Sequence, residues 1–417
     1  MSNKVFFINS NIFINNKLQF DSLDDILAPL GGNTGNSYIT YSLIKEIGCK
    51  INDIEHIQNI YAFDFSTQDK YIDIINNECS TVFLILQDQI RVQESYGLKL
   101  PYKAIMNFIS KLNKPVVIAG LGANSTTGYD KTFYENIDPE LINFLKFLSD
   151  HCIEIGLRGE YTAEILSKFD IHNTKIIGCP SFYECGRDRI VSAKPNLKKI
   201  VFTSENLRTP SMKNVDVVCQ DYTDKTILEG LIFDKWDKNI DYHSLDKLKN
   251  NKYHIFTNIN QWKNFLKKFD FALGCRIHGS IIALNAGIPT ICCKNDYRAK
   301  EMCEFLHIPY YWELPKNVDM EKLYKQLDLS KLNNNYPMLY DNYCDFLNKN
   351  NIKINPCNKE DNLVQPIVNI DQKQFQKKIN DLLKIKKYSI VEKLFSIQES
   401  TTHKIIMFMG IRIRIKK

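Results

Sequence analysis

The chain has 417 residues, 44% of them hydrophobic and 24% charged, with a formal net charge of +6. That length exceeds what one ordinary core organises, so two domains with appendages are expected, and the mild charge gives no argument for a nucleic-acid partner. No apolar run reaches the roughly 18 residues of a membrane span, and Val5–Ile8, cut short by Asn9, is too brief for a signal peptide. Without export, the 12 cysteines read as reduced thiols. They include no Cys-x-x-Cys pair, so no metal site is expected and most should be small core residues.

Val5–Ile8 reads as the first strand. Gly31–Asn36 is a glycine-bearing loop ahead of an apolar-periodic helix, about Ser37 to Ile47. Such a loop can hold a polar ligand through backbone N–H groups, but it lacks a P-loop lysine and dinucleotide-fingerprint spacing, so alone it reads as a plain loop. Thr81–Leu86 is a strand, Tyr102–Leu112 a helix, and Pro115–Ala119 a strand running into Gly120–Asn124. Pro139–Ser149 is helical. Cys152–Leu157 is a strand ending at Arg158, followed by a helix from Gly159-Glu160 to about Phe169 and a strand at Lys175–Ile177. Strands alternating with helices predict a parallel sheet covered on both faces. Arg158 is either a site cation at a strand end or a surface arginine near Glu160 or Glu164. Arg187–Lys198 reads as a linker. A second alternation follows: strands at Lys199–Phe202 and Val215–Cys219, and helices at Thr226–Leu231 and Asn260–Lys267.

The stretch Phe269–Cys293 reads as strand, basic turn, helix, strand. The apolar run ends at Gly274. Arg276 and His278 then flank Ile277, and in extended backbone both would point the same way. Gly279-Ser280 opens a helix with Ser280 as N-cap, and Gly287 and Pro289 end it. At the carboxyl end of a parallel sheet, an arginine, a histidine and a helix start make an anion site. The competing reading pairs Arg276 with Asp270 and leaves His278 a satisfied histidine beneath a loop. Asp296–Leu306 and Met338–Asn348 are further helices, the first bringing Arg298 near the same strand end.

The C-terminal stretch differs. Lys373–Ile397 has Lys-rich amphipathic helical spacing, with Ile390, Leu394 and Ile397 on one side. After a polar break at Gln398–Thr402, Lys404–Lys417 holds five basic residues and no acidic one. Ile411–Ile415 alternates isoleucine with Arg412 and Arg414, which reads either as a membrane-surface or partner-docking element or as a charge-capped edge strand. The expected organisation is an N-terminal Rossmann-like domain at 1–190, a second at 199–330, a helical return segment at 331–372 and a basic amphipathic tail at 373–417.

These residues resemble the polysaccharide pyruvyl transferase family. The carriers are Gly274-x-Arg276-x-His278-Gly279, followed by Ala283 and Gly287-Ile-Pro289, with Trp262 and Asp270 upstream. Arg158, Thr162 and Gly178-x-Pro180 form a second block, Gly32-Asn-Thr-Gly35 a third, and Asp296–Glu301 ahead of Ile308-Pro309 matches a subgroup pattern. Two positions depart from the family pattern: Asn36 and Cys179 stand where it usually has aspartate. The resemblance implies an α/β, GT-B-like fold of two Rossmann-like domains with parallel sheets, here with the basic tail added. It implies transfer of pyruvate from phosphoenolpyruvate to two hydroxyls of a cell-surface polysaccharide sugar or its lipid-linked precursor, as a ketal. No metal or cofactor is then needed, phosphoenolpyruvate being the donor substrate.

On that reading Arg276 and His278 are catalytic. Arg158, Arg276, Gly279 and Ser280 bind the donor, and Asn33, Gly35, Asn36, Asn124 and Arg298 bind substrate. His278 supplies or relays a proton, or bonds the leaving phosphate. The expected location is cytoplasmic, with peripheral contact at the inner membrane face. The alternative is a GT-B-type glycosyltransferase using a nucleotide sugar; a non-enzymatic scaffold would have no need of the Arg276/His278 pair.

Overall fold

The computed structural model describes residues 4–13, 19–20, 24–50, 53–92, 99–125, 128–203, 215–221, 250, 252–293, 296–312, 319–355, 367–368, 395–399, 403–408 and 411–416. Strands β1 (Lys4–Ile8), β3 (Ile54–Ile57), β4 (Cys79–Leu84), β5 (Val116–Leu121), β6 (Ile155–Leu157) and β7 (Thr174–Ile176) form a six-stranded parallel sheet in the order β3-β1-β4-β5-β6-β7. A second six-stranded parallel sheet has the order β10-β9-β8-β11-β12-β13. Its strands are β8 (Ile200–Thr203), β9 (Val215–Cys219), β10 (Tyr253–Ile255), β11 (Phe271–Gly274), β12 (Thr290–Cys293) and β13 (Tyr310–Tyr311). The fold is α/β, with two Rossmann-like domains in a GT-B-like arrangement.

The near-continuous apolar runs of β1, β4 and β5 are buried, as expected for strands covered on both faces. Helices supply the cover. The Pro139–His151 helix starts with Asp138 accepting from the Glu140 N–H at 2.8 Å and Pro139 in its first turn, and it buries Leu141, Phe144, Leu145 and Leu148. Each such side chain contributes about 1.5–3 kcal/mol of burial.

In both sheets the strand order reverses around the first strand. β1 has β3 on one side and β4 on the other, and β8 has β9 on one side and β11 on the other. These switch points open crevices at the carboxyl ends of the strands, where open α/β sheets bind ligands. The domains also meet directly. Thr34 donates its N–H to the Gln220 carbonyl at 2.8 Å. Glu184 is buried between Lys45 of one domain and Lys263 of the other, both at 2.6 Å.

Most expected strands and helices are present within a few residues. The helix expected at Met338 begins at Ser330 and runs to Lys349 with Pro337 inside it. Its stripe of Leu332, Tyr336, Leu339, Tyr340 and Tyr343 packs against the first domain, where Tyr343 stacks on Tyr183 at 4.6 Å and the Tyr340 hydroxyl donates to Glu46 at 2.9 Å. That burial outweighs the missing N–H of one proline. The helix Gln68–Glu78 and the strands β3, β10 and β13 were not expected. All are short or weakly apolar, and the sheets stabilise them from outside.

The tail corrects one expectation. Phe395–Glu399 is strand β15, not the end of a helix, and the polar break is narrower than expected. It pairs antiparallel with β16 (His403–Phe408), which pairs with β17 (Ile411–Lys416). Phe395 and Ile397 alternate with polar residues, a period of two that cross-strand pairing with Phe408 and Ile406 selects over the helical one. The alternation expected at Ile411–Ile415 is therefore a strand. β2 (Gln19–Phe20) and β14 (Ile367–Val368) form a separate parallel pair. The helices expected at Thr226–Leu231 and through Lys373–Leu394 lie outside the described residues.

Candidate functional site

A cleft of about 700 Å³ opens where the carboxyl ends of the two sheets face each other. The first domain lines it with Asn9 and Asn11 after β1, the Gly31–Asn36 loop, Gln87, Asp88 and Gln89 after β4, and Asn124 after β5. The second domain adds Asp221, Arg276, Asp296 and Arg298. A smaller recess of about 40 Å³ lies deeper, lined among others by Asn33, Asn36, Asp88, Arg158, Arg276, His278 and Arg298. The site residues expected from sequence thus converge, except that Gly35 packs against His278 without lining either space and that Gly279 and Ser280 stand apart.

Those two sit behind the cleft. The helix spans Ile277–Asn285, with Arg276 in extended backbone as its N-cap position, four residues before the expected cap at Ser280. Ser280 is not a cap: its hydroxyl donates back to the Arg276 carbonyl at 3.2 Å. A Cβ on Gly279 would lie 2.6 Å from Thr203 and from Gln220, so this glycine lets the helix press against the end of β8. His278 therefore reaches the recess from the first helical turn rather than by strand alternation.

Arg276 pairs with Asp221, not Asp270. Asp270 instead accepts the backbone N–H groups of Lys198 and Lys199 and pairs with Lys194 at 2.7 Å. Arg298 donates to Asp88 at 2.7 Å and to Asp296 at 3.3 Å. Asp88 also accepts from the Asn124 amide at 2.6 Å and pairs with Arg91 at 3.3 Å. Burial alone would raise the Asp88 pKa, but Arg91, Arg298 and Arg158 outweigh it and hold the carboxylate well below its usual range.

Arg158 stands out among the arginines of the recess by its burial. It is 2% exposed, and its Nε and Nη2 meet no hydrogen-bond partner among the described residues. Gly122 makes room for it, since a Cβ there would fall 2.5 Å from Arg158 Cδ. Glu160 and Glu164 do not pair with it. Burial pulls its pKa down, opposed by the nearby carboxylates of Asp88 and Glu301. A buried guanidinium with idle donors is unstable alone and is poised for an anion.

His278 is 7% exposed, with Nε2 at 3.7 Å from Cys179 Sγ. Burial first, then Arg158 and Arg298, depress its pKa to about 3, so the imidazole is neutral across the ordinary pH range. Gly35 lies against it: a Cβ there would be 2.9 Å from His278 Cβ. Asn33 accepts the Gly35 N–H at 2.8 Å, and Asn36 donates to the Leu30 carbonyl at 3.3 Å, which fixes the glycine loop.

Sequence reasoning found Asn33, Asn36 and Asn124 but missed the rest of the amide wall and the counter-carboxylates. Asn9, Asn11 and Gln87 all have left-handed backbone, with φ of 62°, 50° and 55°. Gln87 donates to Asn11 at 2.5 Å, and Asn11 to Asn9 at 3.2 Å. Three non-glycine residues in that region at one cleft point to a pre-organised surface. Asp88 and Asp221 stand just past β4 and β9, and only the fold shows that they face arginines. Among the described residues no group of three or more histidine, cysteine and carboxylate side chains is gathered to hold a metal ion. The described cysteines form no disulfide, and most are buried.

The sequence profile of polysaccharide pyruvyl transferases matches residues 33–297, more than half of the chain. The chain belongs to the polysaccharide pyruvyl transferase family. It is a transferase, and the family implies a polysaccharide or sugar acceptor. The matched span contains Asn33, Arg158, Arg276 and His278 and stops one residue before Arg298. No curated protein matches the chain. Among solved structures, an uncharacterised protein of Klebsiella pneumoniae is 16% identical, covering 73% of this chain and 88% of its own, with a TM-score of 0.36. MnaA of S. aureus, solved with UDP, is 14% identical over 84% of this chain and 98% of its own, with a TM-score of 0.41. The UDP-GlcNAc 2-epimerase of Methanocaldococcus jannaschii is 12% identical over 93% and 100%, with a TM-score of 0.38. At such distances these likenesses say nothing about the reaction.

Proposed function

We propose that this pyruvyl transferase takes phosphoenolpyruvate as donor and forms a cyclic ketal on two hydroxyls of a surface-polysaccharide sugar or its lipid-linked precursor. The observation that supports the donor is buried Arg158, with idle Nε and Nη2, in one recess with Arg276, Arg298 and His278. A small ligand carrying both phosphate and carboxylate needs several fixed cations in a confined space, and arginine meets either group with paired donors. The wider cleft, walled by Asn9, Asn11, Asn33, Asn36, Gln87 and Asn124, suits a neutral polyhydroxylated acceptor.

The chemistry balances as follows. C3 of the donor gains a proton and becomes a methyl group while a sugar hydroxyl, losing its proton, bonds to C2. A second hydroxyl then attacks C2, and the C2–O bond to phosphate breaks; phosphate leaves with the second proton. His278 begins neutral and can therefore accept the first hydroxyl's proton, the one C3 requires. The donor's negative charge offsets Arg158 and Arg298 and raises the basicity of the ring when it is needed. The arginines hold the departing phosphate.

The tail belongs to the same proposal. Ile413 and Ile415 are about half exposed on β17, beside Arg412 and Arg414 in the sequence. Near anionic lipid each basic residue contributes about 1 kcal/mol, which would hold the enzyme where a lipid-linked acceptor is presented, at the cytoplasmic face.

The test is incubation with phosphoenolpyruvate and a panel of glycosides with vicinal or 4,6-hydroxyls, following phosphate release and product mass. Phosphate release matched by a pyruvyl ketal supports the reading. Transfer from a UDP-, GDP- or CMP-sugar, with none from phosphoenolpyruvate, would replace it by glycosyl transfer.

A further inference from the structure

Cys179 follows β7 and is fully buried against His278, which lines the recess. Its Sγ lies 3.7 Å from His278 Nε2 and 3.0 Å from Ser181 Oγ, so the thiol joins the first domain to the second domain's site histidine. The cations and acids around that ring come from every neighbouring element: Arg158 after β6, Arg298 on the Tyr297–Phe305 helix, Asp88 after β4, and Arg276 at the start of its own helix, paired with Asp221. Arg158, buried with two idle nitrogens, faces the same recess, which points to an anion binding beside the thiol.

We propose that Cys179 is a positioning residue of this site: its sulfur accepts the His278 Nε2–H, leaving Nδ1 as the ring's proton acceptor, while its own S–H donates to Ser181. The assignment rests on the donor-site reading above for its purpose, but not for its geometry. A thiol holds the ring's orientation without lending it charge. A carboxylate at the same position would hold it equally well and would stabilise imidazolium. The side chain at position 179 thus decides whether His278 enters the reaction neutral or protonated. With a thiol it enters neutral, ready to take a proton from the acceptor.

The experiment needs no substrate. The full chain, labelled with ¹⁵N-histidine, is titrated by NMR as wild type, Cys179→Asp, Cys179→Ala and Cys179→Ser, with His278→Asn to assign the signal. Wild-type His278 should show the Nε2–H tautomer and remain neutral to about pH 5 or below. Cys179→Asp should raise its titration by about two pH units or more, through an opposite charge in contact with the ring. Cys179→Ser should keep the tautomer, while Cys179→Ala should mix the two, and this separates an oriented ring from one that is merely packed. An Nδ1–H tautomer in the wild type, or a His278 titration unchanged in a folded Cys179→Asp variant, would overturn the proposal. Inorganic phosphate and phosphoenolpyruvate are then titrated into the wild type. Failure of both to bind would reject the donor reading and leave the role of Cys179 intact.

Discussion

A buried arginine with idle donors sets function against stability at a single residue. Arg158 is 2% exposed and lacks partners for Nε and Nη2, so in the free enzyme only the charges of nearby Asp88 and Glu301 offset its desolvation cost. Arg158→Met keeps the bulk and removes the charge. The expected outcome is an unchanged or higher melting temperature together with a loss of about a hundredfold or more in phosphoenolpyruvate affinity, measured by calorimetry, in line with about 2–5 kcal/mol for a truncated buried charge pair. Arg276 does not offer so clean a test, because its removal also strips Asp221 of a buried partner. The four basic residues of the recess, Arg158, Arg276, His278 and Arg298, were legible in the sequence because a cation at a strand end or at the start of the following helix is a local pattern. Asp88, Asp221, Asn9 and Gln87 were not. An aspartate or amide after a strand is ordinary, and only the facing domain gives it a role.

Between elements, the return helix Ser330–Lys349 carries its own titration. The Tyr340 hydroxyl donates to Glu46 on the Ser37–Ile47 helix at 2.9 Å, and burial raises the Glu46 pKa to about 7 despite that bond and nearby Lys45. The folded state therefore holds a proton that the unfolded chain releases near pH 4.5. This contribution to stability is full below about pH 4.5 and is lost as pH rises through about 7. Glu46→Gln, neutral throughout, should gain stability over the wild type across that window, reaching on the order of 2–3 kcal/mol at pH 8. Denaturant melts of both proteins at pH 5 and pH 8 check it, and a constant difference would place the titration elsewhere. The elements themselves were mostly readable from apolar periodicity. The errors fell where tertiary packing overrode a local rule: Pro337 inside a helix, the helix start at Ile277, and β15 where helical spacing was read.

For the whole molecule, two sheets and their facing switch points follow from alternating strands and helices, and that alternation was plain in the sequence. The pairing of β15, β16 and β17 was not, because antiparallel partners are chosen by contacts between segments. If the tail binds membrane, deletion of residues 404–417 should abolish salt-sensitive pelleting with anionic vesicles while sparing turnover on a short soluble acceptor. Equal pelleting of both forms would exclude it, and a large drop in melting temperature would mark the strands as structural instead.

The central claim is that the Arg158–Arg276–His278 recess binds phosphoenolpyruvate, and thermal unfolding of the full chain with and without that compound tests it most directly. At about a hundred times its Kd, a ligand specific for the folded state adds about 2.7 kcal/mol. The account predicts a clear rise in melting temperature with phosphoenolpyruvate that Arg158→Met erases. No rise with phosphoenolpyruvate alongside a clear rise with a nucleotide sugar, or a rise that Arg158→Met leaves intact, would contradict it.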